Sequence, residues 1–300
     1  MSTAFSDASH PVIACVDGGP DGDRALRYAI REAARRGTGL RLVHVPLEFI
    51  PYAPLAPGFP MPDLREIGSA ILKDALDRCY ELAPGLYVEG ALLSGRRVAA
   101  ILEESANAAW VVVGTRNWRS HRRFGGSTTT GIAARASCPV IAVPPVWVSE
   151  SPGTRVIVAV DSDSGPDVVL EHGFEAARLR GAELTILHAW MAPEPYESRF
   201  DTWHADSWTE AAAESMHVQT AGIRAAYPDV VTREVATYGT AGDAIADLTT
   251  GVDLLVVGRH RGDHPHFPRL GSIASHALHS GRCPLEIVPV PEPPESGAPR

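Results

Sequence analysis

Residues 111–128 read VVVGTRNWRSHRRFGGST. An apolar run stops at Gly114, four arginines follow (Arg116, Arg119, Arg122 and Arg123), and Gly126-Ser127-Thr128 closes the stretch. Residues 258–273, GRHRGDHPHFPRLGSI, repeat the plan, with Arg259, Arg261 and Arg269 between Gly258 and Gly271-Ser272. These residue types suit anion binding. A glycine at a strand end admits either a positive φ or the close approach of a ligand. A Gly-Ser pair opening a helix presents free backbone N–H groups and a hydroxyl at the positive helix end. Thr128 adds a second hydroxyl to the first copy, and the arginines add charge. The same residues also suit an ordinary turn with a serine cap and solvated arginines.

Two aspartates, Asp17 and Asp161, close short apolar runs near 11–16 and 155–160. At the carboxyl end of a strand, an aspartate can accept from a base amine or a ribose hydroxyl, or it can cap the helix that follows. His44 and His188 end second apolar runs and read as core-edge histidines. The sole lysine, Lys73 in AILKDAL, has no glycine loop before it. That excludes a P-loop and a protein-kinase lysine. No dinucleotide G-x-G-x-x-G follows a first strand, and no local frame supports a Ser-His-Asp triad. His260, His264 and His266 with Asp263 gather in HRGDHPHF. A proline interrupts them and the first copy has no counterpart, so they read as a solvated loop and no metal site is expected.

The elements that must position these residues are written twice. VIACVDGGPDGDRALRYAIREAARRGTGLRLVHV (12–45) matches VIVAVDSDSGPDVVLEHGFEAARLRGAELTILHA (156–189) at a shift of 144. WVVVGTR (110–116) matches LLVVGRH (254–260) at the same shift, and ASCPVIAVP (136–144) matches GRCPLEIVP (281–289) at 145. The first basic loop is therefore one residue shorter. Strands are expected near 11–16, 40–45, 86–93, 109–113 and 139–143, then near 155–160, 183–189, 230–237, 253–257 and 284–289. Their near-continuous apolar character suits a parallel sheet buried on both faces. Helix-period segments lie between them, near 22–36, 63–82, 96–107 and 127–137. The fold class is α/β: two tandem doubly wound domains, each with a five-stranded parallel sheet. The expected domains are 1–147 and 152–290, with 291–300 as a disordered tail. The six prolines of 46–63 rule out helix or central strand there. The two closing strands, 140–143 and 285–288, would leave bare edges, and mutual pairing of the domains through them is expected.

A net charge of -9 argues against nucleic acid as a partner, because binding there rests on clustered cations. No apolar run approaches the ~20 residues that cross a bilayer. MSTAFSDASH has neither the basic start nor the apolar stretch of a signal peptide, so a cytoplasmic protein is expected. The four cysteines stand far apart and read as buried thiols.

Each half resembles a universal stress protein domain, and the chain resembles a tandem member of that family. The resemblance rests on the first-strand VD, the AA(R)xxG-xx-L-xxxH segment, the VVVG before each loop and the GS-(x)10-CPV ending. It implies a Rossmann-like fold of the adenine nucleotide alpha hydrolase type and ATP as ligand, accompanied by magnesium. It places adenine against Asp17 and Asp161. Ribose and phosphates fall to Gly114, Gly126 and Ser127, and to Gly258, Gly271 and Ser272, with Arg116, Thr128 and Arg261 beside them. The family pattern G-x-x-G, nine residues, G-[ST] is broken at its second glycine, where Asn117 and Arg261 stand. Only the second copy keeps the thirteen-residue step from Gly258 to Gly271. A regulator of stress physiology is expected, pairing as a homodimer, with slow hydrolysis at most. The rivals are a scaffold that binds no nucleotide and a slow ATP-using enzyme.

Overall fold

The computed structural model describes residues 7–47, 63–115, 128–148, 154–160, 166–191, 202–249, 251–259 and 270–291. Almost all of the proline-rich stretch 46–63, most of both basic loops and nearly all of the tail 291–300 lie outside the described residues. The chain divides into two compact units, Met1–Ser149 and Glu150–Arg300.

In the first unit the order is β1 (Asp7–Cys15), α1 (Pro20–Arg36), β2 (Thr38–His44), α2 (Leu64–Leu82), β3 (Val88–Leu92), α3 (Arg97–Ser105), β4 (Trp110–Gly114), α4 (Thr128–Ala133) and β5 (Val140–Val143). The strands run parallel in the spatial order β3-β2-β1-β4-β5. The second unit repeats the plan with β6 (Arg155–Ala159), α5 (Pro166–Arg180), β7 (Glu183–Trp190), α6 (Thr202–Ala226), β8 (Thr232–Tyr238), α7 (Ala241–Leu248), β9 (Leu254–Arg259), α8 (Ser272–Ser280) and β10 (Leu285–Pro289). Its order is β8-β7-β6-β9-β10, again parallel. Each chain path moves outward from its first strand, then jumps back to that strand's other side. The strand order therefore reverses between β1 and β4, and between β6 and β9. In open α/β sheets a ligand crevice opens at the carboxyl ends of such a pair.

The strands carry the core because they are apolar on both faces. Val12, Ile13 and Ala14 of β1 and Val111 and Val112 of β4 are buried. Local signals set the helix ends. Pro20 opens α1, Asp21 and Asp23 occupy its first turn, Arg35 and Arg36 its last, and Gly37 stops it at φ 65°. Gly181 ends α5 in the same left-handed conformation, φ 59°. The acidic start and basic end oppose the helix dipole, and proline at the first helical position loses no hydrogen bond. α4 is shorter than the sequence suggests, ending at Ala133 rather than near 137.

The two units solve one packing problem in opposite ways. Where α3 meets α4, a Cβ at Gly131 would lie 3.3 Å from Val98. The equivalent positions of the second unit are Gly242 and His276. There the small residue sits on the other helix, and a Cβ at Gly242 would lie 3.0 Å from the His276 ring. Large faces small in both units, so the helices keep their approach while the residues exchange roles. Gly242→Val should therefore destabilise the protein, and much less so when His276→Ala is present. A double-mutant cycle by urea unfolding should return a coupling of about 0.5–3 kcal/mol; additive losses would contradict this contact.

All four cysteines are free thiols, with Cys79, Cys138 and Cys283 buried and Cys15 half-buried. Burial pushes the thiols of Cys15, Cys79 and Cys283 up from 9.0 to about 12, with the charge of Asp17 adding to the effect at Cys15. The reactive thiolate at any pH below 9 is then on the order of a thousandfold scarcer than for an ordinary thiol. At pH 8, iodoacetamide should leave these three unlabelled in the native protein and label them fully in urea. Mass spectrometry of the alkylated peptides decides it.

Candidate functional site

In the first unit the crevice is built outward from the end of β1. Val16 follows the strand and donates its N–H to the Val43 carbonyl at 3.0 Å. Asp17, exposed, comes next, and its Oδ1 accepts from the N–H of Gly19 at 3.0 Å. This is the local turn that aspartate favours, helped by Gly18 at φ 75°. Pro20 then starts α1. The carboxylate lies back against the helix, since a Cβ at Gly22 would sit 2.5 Å from Asp17 Oδ1. Of the two roles open to Asp17, helix-start hydrogen bonding is thus made within the fold.

Gly114 stands across the crevice, at the end of β4. A Cβ there would lie 2.2 Å from the backbone oxygen of Asp21 and 2.7 Å from its carbonyl carbon. Backbone cannot yield as a side-chain tip can, so only glycine fits. This corrects the expectation of a positive φ at Gly114, and the close approach that the sequence left open is made within the fold. Its φ lies outside the left-handed region, and what approaches is the first turn of α1. Its carbonyl also accepts from Thr129 Oγ1 at 3.0 Å, tying α4 to the strand end. Thr115 continues the ladder through its N–H to Val143 O at 2.9 Å. Thr128, half-buried, opens α4 one residue before Thr129. Structure thus brings Asp17, α1, Gly114 and the start of α4 to one place. Arg116, Gly126 and Ser127 lie outside the described residues, as do Arg119, Arg122 and Arg123.

In the second unit, Gly258 pairs with Val288 of β10. Arg259, which the sequence suggests as a loop arginine, instead ends β9, is buried, and accepts at its carbonyl from Val290 N–H at 3.0 Å. It therefore cannot act as a solvated loop charge, because β9 runs one residue past its glycine. α8 is capped by Gly271, at φ -54° and ψ 161°, with no side-chain cap bond. Among the described residues, a Cβ on Gly271 would meet nothing within 4 Å. Ser272 is exposed at the first helical position. The first N–H groups of a helix have no intrahelical carbonyl to meet and favour an anion. Ser275 holds the turn below, through N–H to Gly271 O at 2.8 Å and Oγ to Leu270 O at 3.0 Å. Asp161, Arg261, Arg269 and the histidines 260, 264 and 266 lie outside the described residues. Among the described residues no three His, Cys, Asp or Glu side chains converge as metal ligands, and no helix is long and apolar enough to cross a membrane.

His44, which ends β2, and His188, two residues before the end of β7, are satisfied core-edge histidines, as the sequence suggests. His44 Nδ1 lies 2.7 Å from the Val16 carbonyl, and His188 Nδ1 3.2 Å from that of Val160. Only the pairing of β1 with β2 could reveal these partners. Thr129 left no signal in the repeat, because Ala274 occupies its place in the second copy.

The sequence model of the Universal stress protein family matches residues 9–144 and again 153–289. Universal stress protein Rv1996 of Mycobacterium tuberculosis is 25% identical over 309 residues, covering 94% of this chain and 96% of that protein. A universal stress protein of Mycolicibacterium smegmatis is 26% identical over 293 residues, covering 94% and 98%. Among solved structures, a universal stress protein from Archaeoglobus fulgidus superposes with a TM-score of 0.70 at 18% identity, over 96% of this chain and 98% of that one. At that identity the likeness speaks for the fold alone.

The two loop glycines should separate in a stability measurement. Gly114→Ala must displace the backbone of α1 and should cost about 2 kcal/mol or more. Gly271→Ala, at an ordinary φ and with no described neighbour within 4 Å, should stay within ~0.5 kcal/mol of the parent. Urea unfolding of both variants checks the contrast.

Proposed function

The chain belongs to the Universal stress protein family, and from that premise we propose that it binds ATP and acts as a cytoplasmic regulator in the response to stress. One observation carries this reading. Gly271 opens α8, and among the described residues its would-be Cβ meets nothing within 4 Å. A glycine there is what a phosphate lying on the N–H groups of α8 would require. On this reading Gly258, Gly271, Ser272 and Arg261 hold ribose and phosphates in the second unit, and Asp161 accepts from the base. Gly114, Gly126, Ser127, Thr128 and Arg116, with Asp17, form the weaker first site. Magnesium would enter with the phosphates it accompanies. The role on this reading is regulatory, with slow hydrolysis at most.

A second reading has one observation in its favour. Asp17 Oδ1 already accepts from Gly19 and rests against Gly22, and the first loop is a residue short. The first unit can therefore serve as a scaffold that holds no nucleotide while the second binds.

Calorimetric titration with ATP and GTP tests both readings. Gly271→Val should abolish binding of both nucleotides at the second site. Asp161→Ala should lose one hydrogen bond to a charged acceptor, about 1.5–3 kcal/mol or ten- to a hundredfold, and narrow the preference for ATP. Asp17→Ala should do less. Undiminished binding by Gly271→Val would remove the second site, and equal losses in both halves would remove the asymmetry.

A further inference from the structure

His44 ends β2, buried, with its Nδ1 2.7 Å from the Val16 carbonyl oxygen. A carbonyl only accepts, so Nδ1 carries the proton; the partner of one ring nitrogen fixes the tautomer. Val16 is thereby held twice by β2, its N–H by the Val43 carbonyl at 3.0 Å and its own carbonyl by the imidazole. In a continuing parallel ladder that carbonyl would take a backbone N–H of β2. With a side chain holding it instead, the chain can leave the sheet at the next residue, Asp17, and turn onto Gly19.

The second unit repeats the device with a looser grip. Val160 donates to the Leu187 carbonyl at 2.9 Å, while His188 Nδ1 stands 3.2 Å from the Val160 carbonyl and is half-buried. The residue beneath the ring differs. A Cβ at Gly68 of α2 would lie 3.0 Å from His44 Cδ2, 2.9 Å from Pro46 Cγ and 3.1 Å from Leu92 Cδ1. Ala212 holds that position in α6, and the helix register agrees, because Thr220 touches Glu234 as Leu76 faces Gly90. Alanine thus takes the place of glycine in the repeat, and the second histidine contact is the longer one.

We infer that His44 is a positioning residue for Asp17, that Gly68 sets how tightly it grips, and that His188 over Ala212 is the slack version of the same clamp. The consequence for base recognition rests on the proposed reading that Asp17 faces the base. The clamp itself does not.

The test is made first without ligand, on the full chain labelled with 15N. Long-range proton–nitrogen spectra should show His44 as the Nδ1–H tautomer. Gly68→Ala should move its signals toward those of His188. His44→Phe should speed exchange of the Gly19 amide about tenfold, the loss of roughly one hydrogen bond, while amides at the centre of β1 keep their rates. His44→Asn should restore it, because the Asn amide can donate from the place of Nδ1. An Nε2–H tautomer, or a Gly19 amide indifferent to His44→Phe and to Gly68→Ala alike, overturns the inference. ATP and GTP are then titrated into the same variants carrying Gly271→Val. If the clamp behaves as described but the parent protein binds no adenine nucleotide, the proposed function falls and the clamp stands. If the parent binds, the ATP preference of the first site should fall with His44→Phe and hold with His44→Asn.

Discussion

The first unit turns on a contact between two stretches of backbone. The carbonyl of Asp21, in the first turn of α1, occupies the space where Gly114 would carry a side chain. That approach sets the helix start down at the point where strand order reverses between β1 and β4. The rest of the crevice is shaped to reach it. Val16 must leave the sheet at the right height, Gly18 must turn with positive φ, and Asp17 must fold back onto Gly19. Gly22 must leave room for the carboxylate so placed. A glycine inside a helix costs about 1 kcal/mol against alanine, which is offset here by a helix start that no larger residue would allow. Each of these residues answers to a neighbour already fixed by the Gly114 contact.

Repetition shows which of these constraints belong to the fold and which to particular side chains. The α3–α4 contact survives an exchange of Val98 and Gly131 for Gly242 and His276. The contact of α2 with β3 is apolar in the first unit, where Leu72 and Leu76 face Gly90. In the second unit the same place holds Glu234, bonded to Thr220 at 2.9 Å and to His217 at 2.8 Å. His217 is exposed, so that contact adds little stability. What is kept is the distance between elements, and complementary volume can keep it in more than one way.

This explains what the sequence alone could disclose. Strand positions were legible because burial on both faces leaves unbroken apolar runs, and the repeat at 144 and 145 aligned them twice. The turn at Asp17 was legible as one of two options, since D-G-G-P is a local signal. The purpose of Gly114 was not, because its partner Asp21 lies most of a domain away along the chain and no local pattern joins them. Arg259 was misplaced for a similar reason: the register of β9 against β10, not the residue type, carries it into the interior. His44 and His188 were visible as a repeated pair, but their acceptor carbonyls follow only from the pairing of first and second strands.

Glycine therefore has to be sorted by cause before it can argue for a ligand. Gly37 and Gly181 stop helices in the left-handed conformation. Gly68 makes room for an imidazole and Gly242 for another, while Gly114 admits a backbone carbonyl. Each is accounted for within the folded chain, so none of them calls for anything outside it. Gly271 has an ordinary φ, and among the described residues nothing lies within 4 Å of its would-be Cβ, as at Gly85 and Gly222. What distinguishes Gly271 is its place at the start of α8, beside the exposed Ser272. An anion on the first N–H groups of α8 is the proposed occupant of that position, and this is why the ligand argument rests on the second unit's glycine rather than the first's.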